Sequence, residues 1–131
     1  MLTLAITGFT GDPSSVTETL EFEPTSIARK GEPSLSGRPR TFNGWWHDVE
    51  GNRVVDGGQH ADALNRILAL LRGREYQFGR LRATVQPRTV TIYGGLYVPR
   101  DQQCSVWLDA NQMQLLAACN VGWGLDLFAD K

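Results

Sequence analysis

The stretch from Gln59 to Arg72 constrains this chain more than any other. Leu64, Ile67, Leu68 and Leu71 fall at the i, i+3, i+4, i+7 spacing of one helical face, and Gly73 stands where a helix stops. A helix with a single apolar stripe gains its stability by laying that stripe on another apolar surface. The remaining sequence must supply it. Leu2, Leu4 and Ile6 alternate with Thr3, Ala5 and Thr7, the period of a strand with one face on a core. Trp123, Leu125 and Leu127 alternate with Gly122, Gly124 and Asp126 in a closing strand, and Thr41 to Val49, holding Phe42, Trp45 and Trp46, reads as a third.

Other segments fill in the order. Gly8 and Gly11 break the first strand, and Asp12-Pro13 offers a capping carboxylate followed by a proline at the first helical position, which predicts a short helix over 13–20 burying Val16 and Leu20. Phe22 opens a brief extended stretch ended by Pro24. From Thr25 to Arg40 the density of Ser, Gly and Pro argues for a loop that is functional, mobile or hides a short strand. Turn signals stand at Gly51-Asn52 and Gly57-Gly58. Leu81, Ala83 and Val85, then Val90 and Ile92, alternate with polar residues, so a hairpin through Gln86-Pro87-Arg88 is expected. Asp109 and Gln112 have capping-box spacing before Met113, Leu116 and Ala117, which predicts a helix ending near Cys119. The expectation is one α+β domain over 1–131, a mixed or antiparallel sheet with about three helices packed on it.

Composition narrows the function. The 131 residues are 41% hydrophobic and 21% charged, in the range of chains that fold unaided. Thirteen Lys and Arg against fourteen Asp and Glu leave a net charge of -1, so electrostatic recognition has to be local. The charges are unevenly spread: Asp12, Glu18, Glu21 and Glu23 stand without a cation before residue 26, and Arg72 to Arg88 is mostly basic. No charged segment precedes an apolar run at Met1, and no run approaches the ~20 apolar residues of a membrane span. The expected compartment is the cytoplasm, where Cys104, in a polar loop, and Cys119, at a helix end, remain unpaired.

The order of several short motifs carries a resemblance. A first strand ending in Gly8, Asp12-Pro13 opening a helix, Glu23-Pro24-Thr25, Arg29-Lys30-Gly31, Gly44-Trp45 and a final Leu125-Asp126-Leu127-Phe128 together resemble the bacterial family known as domain of unknown function 4279. The resemblance spans nearly the whole chain. It implies a small bacterial α+β domain with no established activity, and it transfers no catalytic residue.

Three constellations remain. Arg29, Lys30, Arg38 and Arg40, with Gly31 and Gly37, could hold an acidic partner or phosphate, or could be solvated charges on a surface loop. Trp45 and Trp46 are adjacent, so on a strand their rings point to opposite faces and only one enters the core easily. The other would be an interface anchor beside the basic loop, or would pack beneath it. Arg80 and Arg82 on one strand, with Arg88 across a turn, form an alternative phosphate-binding stripe, with Tyr93 or Tyr97 as the stacking aromatics. His47, Asp48, His60 and Asp62 have metal-ligand chemistry without metal-site spacing, and neither Cys104-Ser105 nor Ser14-Ser15 has a His in a suggestive position. No catalytic residue, metal or cofactor is expected. The favoured expectation is a non-catalytic domain that binds another protein, in the manner of an immunity or inhibitor factor, and not a membrane. The alternatives are a binder of a phosphate-bearing ligand or nucleic acid and, behind it, a small hydrolase.

Overall fold

The structure is a computed structural model that describes residues 1–49 and 57–130. Along the chain run β1 (Leu2–Thr7), α1 (Ser14–Leu20), β2 (Ser26–Ala28), β3 (Gly44–Val49), α2 (Gly57–Leu71), α3 (Glu75–Arg80), β4 (Thr89–Pro99), α4 (Ala110–Cys119) and β5 (Gly122–Asp130). The strands form one mixed sheet in the order β2-β3-β1-β4-β5. Among the described strands only β4 and β5 pair in parallel, and α4 lies in the crossover that a parallel pair requires. No helix among the described residues is long and apolar enough to cross a membrane.

Register determines which side chains share a face. Leu4 of β1 stands opposite His47 of β3 and Ile92 of β4, while Thr3 stands opposite Asp48 and Tyr93. Every sheet residue of the hydrophobic core (Leu2, Leu4, Ile6, Trp45, Val90 and Ile92) belongs to the first of these faces. Against it pack Leu64, Ile67, Leu68 and Leu71 of α2, all fully buried, together with Val16 and Leu20 of α1 and Leu115 and Leu116 of α4. Each such side chain contributes about 1.5–3 kcal/mol by leaving water. The helices thus cover one face, as expected, and no residue of that core cluster stands on the other, where only the small side chains of Thr3, Ala5 and Ala28 are buried among the described strands.

The expected hairpin is absent. Residues 75–80 form α3, which runs on into a π-helical turn over Leu81–Val85, so the described residues hold four helices, close to the three expected. Phe78 and Leu81 are buried and Val85 packs on the core at i, i+3 and i+7, a helical spacing. Three alternating apolar residues in 81–85 could not distinguish the two periods, and Phe78, outside that run, settles the matter. Arg80 and Arg82 therefore lie on helical turns and share no strand face. Neither does Phe22 begin a strand: the extended segment is β2, held by pairing Ile27 with Trp45. The turn signal at Gly51-Asn52 lies outside the described residues, and Gly57-Gly58 opens α2.

Candidate functional site

Two adjoining surfaces deserve a functional reading, and both follow from strand register. The first is the uncovered sheet face. Trp46, Tyr93, Tyr97 and Phe128 line a concavity of about 530 Å³ there, with Asp48 and Asp126. Glycines let the rings lie flat. A Cβ at Gly44 would stand 2.2 Å from Cη2 of Trp46, and one at Gly95 would stand 3.0 Å from Cε2 of Phe128. Phe128 stacks on Tyr97 with centroids 5.0 Å apart, and the edge of Trp46 meets Phe42 at 6.4 Å. Thr3 donates its hydroxyl to Asp48 Oδ1 at 2.7 Å, which holds that carboxylate against the sheet.

Phe42 joins this face to the second surface, a cleft of about 750 Å³ beyond the end of β1. Here Arg29, Lys30 and Arg88, from separate parts of the chain, line one space with Gly8 and Asp12. Asn43, buried, builds it: its side chain donates to the carbonyls of Phe9 at 2.8 Å and Gly11 at 3.1 Å and accepts the Lys30 N–H at 2.7 Å. Gly8 has a φ of +78°, and a Cβ on it would stand 2.5 Å from Cβ of Arg88, so only glycine lets the arginine stem pass. Arg29 donates from Nε to Asp12 Oδ1 at 2.7 Å. That bond and the Ser14 donors hold the Asp12 carboxyl well below the ordinary carboxylate range. Arg29 is thus paired with the Asp12 carboxylate, and Lys30 and Arg88 carry the cleft's remaining positive charge.

The other sequence candidates separate. Trp45 is fully buried, donates its indole N–H to Thr17 Oγ1 at 3.0 Å and meets the ring of Phe22 edge-on, so it is a core residue. Trp46 is the half-buried partner on the open face. Arg38 and Arg40 belong to a short antiparallel finger, closed by Gly31 N–H to the Arg40 carbonyl at 2.9 Å and Ser34 N–H to the Arg38 carbonyl at 2.9 Å, with Leu35 fully exposed at its tip. Arg82 donates from Nη2 to the Asn120 carbonyl, and Arg80 sits exposed at the end of α3.

The model of the family described as domain of unknown function (DUF4279) matches residues 1–130. The chain belongs to this family. No curated protein and no solved structure matches it. In this DUF4279 chain the potential metal ligands point to separate tasks: His47 Nδ1 bonds the Glu23 carbonyl at 2.8 Å, Asp48 holds Thr3, and His60 is buried edge-on against Trp123. Both cysteines are free. Burial pushes the Cys119 thiol up to about 11, which leaves it inert, while Cys104 lines an apolar groove with Val98, Val106 and Leu127.

Sequence reasoning reached Trp46, Lys30 and Arg88 but missed Phe128, Asp126 and the glycine floor. A signal existed: residues 89–97 place Thr89, Thr91, Tyr93 and Tyr97 on the face opposite Val90 and Ile92. Aromatic residues on the polar side of a strand mark a surface with a use beyond folding.

Proposed function

We propose that this chain is a non-catalytic recognition domain that captures a partner protein on the uncovered face of its sheet. One observation carries the reading: Trp46, Tyr93, Tyr97 and Phe128 share a face that no helix among the described residues covers. Large aromatics supply most of the energy at protein interfaces because they offer much area with few rotatable bonds. Here they stand on strands rather than loops, so little ordering is required on contact. An immunity or inhibitor-like role, in which a preformed face occludes part of another protein, is the form of recognition this rigidity suits.

The test is hydrogen exchange on a complex captured from the host lysate. Protection is expected at Trp46–Asp48 and Tyr93–Tyr97, and Trp46→Ala should weaken capture roughly tenfold or more while the chain stays folded. Protection confined to the helices, or to the finger, would overturn the reading.

A second reading is favoured by the meeting of Arg29, Lys30 and Arg88 in one cleft, which supports binding of a phosphate-bearing ligand. Titration with inorganic phosphate should then shift the Lys30 and Arg88 amide signals in the wild type and leave the Lys30 signal still in Arg88→Ala. Equal shifts in both proteins would remove this reading.

A further inference from the structure

The charge on the uncovered face specifies the partner's chemistry. We infer that its occupant is a basic segment of the partner protein, with a Lys or Arg side chain over Tyr93 between Asp48 and Asp126; this rests on reading that face as the capture surface. Register places the groups. Asp48, Thr3, Tyr93 and Gly124 form one row across β3, β1, β4 and β5, and Gly95 and Asp126 begin the next. Tyr93 is 44% exposed, with Asp48 two strands away, about 10 Å, and Asp126 one strand over and two residues along, about 8 Å. Among the described residues the concavity is lined by these two carboxylates, together with Met1, and by no Lys or Arg side chain. The cations Arg29, Lys30 and Arg88 are gathered instead in the cleft on the far side of Phe42.

This pairing of rings and carboxylates selects by charge. A cation over an aromatic face is attracted by the ring quadrupole, and the apolar stem of Lys or Arg covers the neighbouring rings. The carboxylate that accepts from Thr3 keeps lone pairs for a further donor. Nucleic acid could stack its bases on the same rings, but its phosphates would meet two like charges and, among the described residues, no Lys or Arg side chain to neutralise them.

The experiment is selection of displayed random peptides on the full chain, counter-selected on Trp46→Ala and on Tyr93→Ala, with circular dichroism confirming that each variant is folded. Peptides that depend on both rings are expected to be enriched in Lys and Arg. Their affinity should fall about tenfold in the Asp48→Asn, Asp126→Asn double variant and fall again as salt is raised. Ring-dependent peptides that are neutral or acidic, or basic ones indifferent to the double variant, would overturn the inference and leave the sheet face standing as the capture surface. Should no selected peptide depend on either ring, both readings fall. An oligonucleotide that binds the same face more tightly than the basic peptides would also overturn the inference.

Discussion

Trp45 has no exposed surface, gives its N–H to Thr17 and packs on Phe22, so Trp45→Ala removes a large volume from the core and should cost about 3–5 kcal/mol, read as a shift of the urea midpoint. Trp46→Ala, one residue on, empties only the open face and is expected to leave that midpoint close to wild type. The reverse order would place Trp46 in the core and remove the basis for a binding role. His60 makes the residue-scale prediction on pH. Its Nε2 is buried with no partner among the described residues, and burial lowers its pKa below the usual 6.5. As pH falls through about 6.5 the unfolded chain takes up a proton that the folded chain refuses, so stability is complete above that pH and declines below it. Urea midpoints measured on both sides should show that decline in the wild type and a shallower one in His60→Leu. The adjacent tryptophans show how far a residue can be read without coordinates: alternation requires that they point apart, but which one enters the core depends on where the helices lie.

At the scale of elements, α4 opens with the capping box that its sequence spacing predicts, Asp109 accepting from the Gln112 N–H at 2.8 Å and Gln112 returning to the Asp109 N–H at 2.9 Å. Asp109→Ala should cost about 0.5–2 kcal/mol and speed hydrogen exchange in the first turn of the helix. Leu68→Ala in α2 should cost about 2–5 kcal/mol whatever the protein binds, since the side chain is wholly buried. These two helices and β1 were legible because their signals are local, a cap or a repeated spacing within one element. The three-residue β2 has no such signal, as only its pairing with β3 makes Ser26–Ala28 a strand. Likewise α3 and its π-helical turn depend on Phe78 and Leu81 reaching the core beneath α1 and α4.

For the whole molecule, the finger and the core should prove separable. The backbone bonds that close the finger, among them Gly31 N–H to the Arg40 carbonyl and Arg40 N–H to the Glu32 carbonyl at 2.8 Å, lie within it. Replacing Glu32–Pro39 by a short glycine linker is therefore expected to leave thermal unfolding cooperative and its midpoint within a few degrees, about 1 kcal/mol or less. Loss of cooperative unfolding would show that the finger braces the cleft. Sequence by itself determined the α+β class, the apolar stripe of α2, the α4 cap and the opposed tryptophans, because each rests on residues a few positions apart. Tertiary structure alone decided the strand order, which face the helices cover, the gathering of Arg29, Lys30 and Arg88 in one cleft, and the placing of Asp48 and Asp126 around Tyr93. Those relations join residues tens of positions apart, and the shared core that brings them together leaves no periodic trace in the chain.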